Sequence, residues 1–157
     1  MNADFSQLSF APCTADDFET MLAMRLESMR ESLERLGRYN PERSRERLGR
    51  SFYPELSEFI LWEGERIGFY TFRPAADGFH LEHLYLLPPH QSHGIGSSVL
   101  SRLTKQADEA VMPIFLGALK ESAANRFYQR HGFEKDTESE WDNYYVRLPQ
   151  AGSLQLG

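Results

Sequence analysis

The segment running from Leu84 through Pro88-Pro89-His90-Gln91-Ser92-His93 to Gly94-Ile95-Gly96-Ser97 reads as a strand, a tight loop and the start of a helix. Chemistry of one kind suits such a place. A helix start leaves backbone N–H groups unpaired and carries the positive end of the helix dipole, so an anion is stabilised there. Gly94 and Gly96 let the main chain come close to that anion, and phosphate is the expected guest. The loop lacks the Lys-Ser/Thr pair of a Walker loop and the third glycine of the dinucleotide fingerprint, which argues against nucleotide hydrolysis.

Titratable groups lie just upstream. Alternation along the strand before the loop puts His80, Glu82 and Leu84 on one face and His83 on the other. His80 and Glu82 are thus two proton acceptors on one surface. His83, His90, His93 and His131 have no spacing suited to a metal cage, so no zinc or other metal site is expected. Cys13 is the only cysteine and has no evident activating base; it reads as a small core residue.

The elements that must position these groups follow from periodicity. Leu8 to Pro12 reads as a first strand, and Thr14 as the cap of a helix with apolar residues from Phe18 to Leu36, stopped at Gly37. Asn40-Pro41 opens a short Arg-rich helix through about Arg50, whose basic run is a solvated face. Phe59–Trp62 and Ile67–Arg73 are strands separated by Glu63-Gly64-Glu65, and Phe79–Leu87 is a third run of β character. A helical pattern then runs from Gly94 through Val99, Leu103, Ala107 and Val111 to Pro113. Ile114–Leu119 reads as a buried strand, Ser122–His131 as a helix capped by Gly132, and Phe133–Thr137 with Asp142–Leu148 as a final hairpin packed by Trp141, Tyr144 and Tyr145. Helices that interrupt hairpins imply an α/β chain with a mixed sheet.

A length of 157 residues suits one domain, read here as residues 1–150, with 151–157 as a flexible tail. With 17 basic and 23 acidic side chains, the net charge of -6 opposes a nucleic-acid backbone and favours cationic substrates. Neither a membrane span nor a signal peptide is evident. With a single cysteine, this gives a cytoplasmic expectation.

The loop Gln91-Ser92-His93-Gly94-Ile95-Gly96 resembles the Gln/Arg-x-x-Gly-x-Gly/Ala motif of the GNAT family of N-acetyltransferases. Ala124-Asn125-Arg126-Phe127-Tyr128-Gln129-Arg130-His131-Gly132-Phe133 is similar to that family's late helix and following strand. The resemblance implies a mixed, mostly antiparallel sheet of about six or seven strands flanked by about four helices. It also implies a V-shaped split between two central strands, the one ending near Leu86 and the one beginning near Ile114.

Acetyl-coenzyme A would lie in that split as co-substrate, its pyrophosphate held by Gln91, Ser92, His93, Gly94, Ile95, Gly96 and Ser97. Its pantetheine would pair with the main chain of Leu84, Tyr85 and Leu86. Tyr128 would sit at the thioester sulfur and protonate the departing thiolate, and Asn125 would touch the cofactor's polar arm. The family more often carries its asparagine further upstream, where Glu121 and Ser122 stand. Glu82 is the first choice of base and His80 the second. The acceptor implied is a small-molecule or peptide amine that attacks directly, with no nucleic-acid or membrane partner; monomer and homodimer both stay open. Two other readings stand beside it: an acyl-coenzyme A sensor or partner-binding module without turnover, and an α/β phosphate-binding protein of another type.

Overall fold

Thr14 begins the first helical segment through a capping box. Its hydroxyl accepts from Asp16 N–H, and its own N–H donates to the Asp17 carboxylate at 2.8 Å. A 3-10 turn, Ala15–Asp17, leads into α1 (Phe18–Arg35). Asn40 caps α2 (Pro41–Arg50), where proline at the first turn costs no helical hydrogen bond. The structure, a computed structural model, describes residues 5–150; the expected tail at 151–157 lies outside them.

Seven strands follow in the order β1 (Leu8–Pro12), β2 (Ser57–Trp62), β3 (Glu65–Ala75), β4 (Gly78–Leu86), β5 (Ile114–Leu119), β6 (Glu134–Glu138) and β7 (Asp142–Arg147). Two more helices, α3 (Ile95–Glu109) and α4 (Ala123–Arg130), complete the set. The strands form one mixed sheet ordered β1-β2-β3-β4-β5-β7-β6. β1–β2, β2–β3, β5–β7 and β6–β7 pair antiparallel, and β4–β5 pairs parallel.

Two compact units share the chain. The first holds the N-terminal segment to Thr71 and residues His83–Ser98. Its core gathers Met21, Leu22 and Met24 of α1, Leu48 of α2, and Phe59 and Phe69 of β2 and β3, with Cys13 buried beside them. The second holds Phe72–Glu82 and the chain from Val99 onward. Val99, Leu100, Leu103 and Ala107 of α3 are buried at helical spacing, as are Ile114 and Leu116 of β5. Among the described residues no helix is long and apolar enough to cross a membrane.

Two expectations are corrected. The third helix stops at Glu109, and Val111, expected on its apolar face, is 59% exposed with φ +54°. Met112 N–H bonds the Ala107 carbonyl and Val111 N–H that of Asp108, so a β-branched residue occupies the left-handed position of a helix-ending motif usually given to glycine. In the final hairpin Tyr145 is buried, but Trp141 and Tyr144 are exposed, because β7 alternates its side chains and β6 is a fully exposed edge.

Candidate active site

β4 shows the expected alternation: Phe79, Leu81 and His83 are buried, while His80, Glu82 and Leu84 are half-buried on the other face. The β4–β5 ladder consists of Phe79↔Ile114 and His80↔Phe115. Glu82 accepts two hydrogen bonds on Oε1, from Nε (3.2 Å) and Nη2 (3.0 Å) of Arg73; among the described residues Oε2 carries none. His80 Nε2 lies 2.9 Å from Asp77 Oδ1, and its ring tilts against Phe115. The His80 hydrogen bond holds the Asp77 carboxyl below its ordinary range. Donation from Nε2 leaves Nδ1 as the proton-accepting nitrogen. Arg73 and Asp77 had not been singled out, although the Asp77-Gly78 turn signal, followed back along both strands, brings Arg73 toward Glu82.

The loop after β4 is closed from inside. Leu87 N–H donates to the Ile67 carbonyl at 2.8 Å, Pro88–His90 forms a 3-10 turn, and the Gln91 side-chain amide donates to the Leu86 carbonyl at 2.7 Å. Gln91, Ser92, His93 and Gly94 are exposed, while Ile95 is buried and anchors the helix start. Ser92 and Gly94 both have positive φ, +64° and +85°. The Gly94 carbonyl accepts the first helical bond, from Ser98 N–H at 3.1 Å. Among the described residues no acceptor takes the N–H groups of Ser92, Gly94, Ile95 or Gly96.

The strand that leads into this loop is held by a close backbone approach. A Cβ on Gly68 would lie 2.0 Å from the Tyr85 carbonyl oxygen, so β3 must carry glycine here. Gly68→Ala is expected to destabilise the protein by about 1–3 kcal/mol or more and to displace the Tyr85 main chain. Denaturant unfolding measures the loss, and a wild-type midpoint would refute the close packing.

Beneath Tyr85 runs a buried polar chain. Arg25 Nη1 donates to the Tyr85 hydroxyl, which lies 3.2 Å from His83 Nδ1; His83 Nε2 is 3.1 Å from the Ser51 carbonyl and 3.0 Å from Ser51 Oγ. Ser51 Oγ in turn donates to the Arg47 carbonyl at 3.1 Å. The Tyr85 and Ser51 hydroxyl protons and the His83 ring proton all find acceptors only if His83 is neutral with its proton on Nε2. Burial, reinforced by the Arg25 charge, pushes the His83 imidazole down to about 3, so it is neutral at physiological pH. Arg25 had not been singled out, because a single arginine in an amphipathic helix carries no signal of burial.

On α4, Tyr128 is 7% exposed and its ring packs edge-on against Phe127 and Phe133. Asn125, one turn earlier, uses all its capacity within the fold. Its Nδ2 donates to the Leu119 (2.8 Å) and Ser122 (3.0 Å) carbonyls, and Oδ1 accepts from Asn143 Nδ2 (2.9 Å) and the Tyr145 hydroxyl (2.8 Å). Two N–H groups and two lone pairs are thereby filled. These bonds tie α4 to β5 and β7 one turn before Tyr128.

The described residues thus form a mixed seven-stranded sheet with four helices and a glycine loop at the start of α3. The family model for the acetyltransferase (GNAT) domain matches residues 55–135, and the chain belongs to that family. Among solved structures it is similar to the PaiA N-acetyltransferase of Thermoplasma acidophilum, determined in complex with coenzyme A, at 20% identity and TM-score 0.65, covering 90% of this chain and 98% of that one. An acetyltransferase from Thermus thermophilus matches at 20% identity and TM-score 0.70, covering 93% and 99%. Ard1 from Thermoplasma volcanium matches at 15% identity and TM-score 0.66, covering 92% and 99%. At these identities the likeness shows the fold. No curated protein matches the sequence.

Proposed function

We propose that this protein transfers an acetyl group from acetyl-coenzyme A to a primary amine by direct attack within a ternary complex. The observation that carries this reading is the set of N–H groups of Ser92, Gly94, Ile95 and Gly96 without an acceptor among the described residues, at the start of α3, in a chain of the GNAT family. Those amides and the dipole of α3 suit a pyrophosphate, with Ser97 at the edge of the same turn. The main chain of Leu84, Tyr85 and Leu86 would pair with the pantetheine amides in the manner of an added strand. Acetyl-coenzyme A supplies the activated acyl group.

The chain's own residues would manage the protons. Glu82 would take a proton from the substrate ammonium on Oε2, directly or through water, freeing the amine to attack the thioester carbonyl, while Arg73 fixes Oε1. His80, turned by Asp77, is the alternative base through Nδ1. A backbone N–H near Leu86 would stabilise the oxyanion. Tyr128 would donate its phenolic proton to the departing thiolate, and Asn125 positions the helix that carries it. A cytoplasmic location fits a chain with a single cysteine.

Release of free thiol from acetyl-coenzyme A across a panel of amines tests the proposal. Glu82→Gln is expected to lower kcat/KM about 10²-fold. An unchanged rate would move the base role to His80. The partners already held by Glu82 in Arg73 and by His80 in Asp77 favour a second reading, an acyl-coenzyme A sensor, which binding without turnover on every amine would support. Calorimetric preference for ATP or NAD over coenzyme A would sink both.

A further inference from the structure

Arg25 lies on α1 with 7% of its surface exposed, yet its guanidinium has no carboxylate within ion-pair distance among the described residues. Its one hydrogen bond goes to the neutral Tyr85 hydroxyl, whose ring also lies under the guanidinium carbon at 5.5 Å. Nε is buried without an acceptor. Ser28 Oγ, one turn further along α1, is also buried without a partner. Residues three apart share a helix face, so two orphaned donors stand side by side.

A buried cation without a counter-charge is costly, and so is a buried hydroxyl without a partner. Among the described residues the partner of Arg25 is the Tyr85 hydroxyl, and no carboxylate pairs with it. Tyr85 accepts from Arg25 and passes its own proton to His83, so the Arg25–Tyr85–His83–Ser51 chain fixes the guanidinium without neutralising it. The exposed arginines of α1 show the contrast: Arg30 and Arg35 pair with Glu27, Glu34 and Glu31 on the same helix. The Tyr85 ring that lies under the guanidinium is itself only partly buried.

We propose that Arg25 and Ser28 form a carboxylate-binding site and that the acceptor is an amine that also bears a carboxylate, as in an amino acid. This rests on the acetyl-transfer reading above, and narrows it. Net negative charge favours cationic acceptors in general, whereas this buried cation selects those with an anionic group beside the amine. The guanidinium would bind one carboxylate oxygen through Nε and the Ser28 hydroxyl would reach the same group. No covalent step is involved.

The test uses the full chain and a panel of amino acids, each paired with its own amide, in two measurements. Thiol release from acetyl-coenzyme A gives kcat/KM for each acid and amide. Calorimetry with coenzyme A present gives affinities for the N-acetylated acid and the N-acetylated amide, without turnover. For the best-accepted side chain the wild type is expected to prefer acid over amide by about tenfold or more in both. Arg25→Gln should bring that ratio near one, Arg25→Lys should keep part of it, and Ser28→Ala should lower it by a smaller factor. Removing an uncompensated buried charge should leave the Tm of Arg25→Gln at or above that of the wild type, which guards against a folding defect. A ratio near one for every pair in the wild type, or a preference that survives Arg25→Gln, overturns the site. Affinity discrimination without thiol release on any amine would keep the carboxylate site and discard acetyl transfer.

Discussion

Replacing Tyr128 with Phe is expected to lower kcat about 10²-fold, the usual contribution of a positioned general acid. The hydroxyl is the only atom lost, and the ring contacts to Phe127 and Phe133 stay. Thermal unfolding of the variant, measured beside kcat, separates a loss of chemistry from a loss of packing. Acyl donors with a less basic thiol need less proton help on departure, and the variant's deficit should shrink with them. Steady-state kinetics on two such donors checks both statements. A kcat equal to the wild type's would remove Tyr128 from the mechanism.

The second large effect is structural. Asp108 of α3 and Arg147 of β7 are both buried and make a bidentate pair, Nη1–Oδ1 at 2.8 Å and Nη2–Oδ2 at 3.1 Å, while Gln150 N–H donates to Oδ1 at 2.9 Å. Asp108→Asn leaves the guanidinium buried without its counter-charge, at a cost of about 3–5 kcal/mol. For a chain of this size that corresponds to a Tm about 6–20 °C lower. The pH dependence has a defined sign. Hydrogen bonds from Arg147 hold the Asp108 carboxyl below its ordinary range, against the opposing effect of burial. A carboxyl depressed in the folded state stabilises fully above its unfolded value of about 4, and that contribution disappears as pH falls through the folded value. Wild type and Asp108→Asn should differ most at neutral pH and converge in acid. Urea unfolding at several pH values tests this, and a pH-independent gap would contradict it.

The elements were legible because their punctuation is local. Thr14, Asn40 and Ser122 start helical segments, and Gly37, Gly94 and Gly132 bound them with positive φ. Alternation along β4 is enough to place His80 and Glu82 on one face. Where the pattern misled, a local signal was overridden by tertiary placement. Val111 continues the apolar spacing of α3, but the chain turns before it. Tyr144 has the composition of a packing residue and the register of an outward one.

The short-range signals of this sequence determined its seven strands and four helices, the glycine turn at the start of α3 and the proton-bearing groups nearby, because caps, turns and periodicity act within a few residues of chain. Tertiary structure alone decided who each side chain meets. Arg73 reached Glu82, Asn125 was enclosed by Leu119, Asn143 and Tyr145, and Arg25 came to rest on Tyr85, which is distant in sequence, with its charge unanswered. Such meetings depend on sheet register and helix docking, which bring together groups that no neighbouring residue announces.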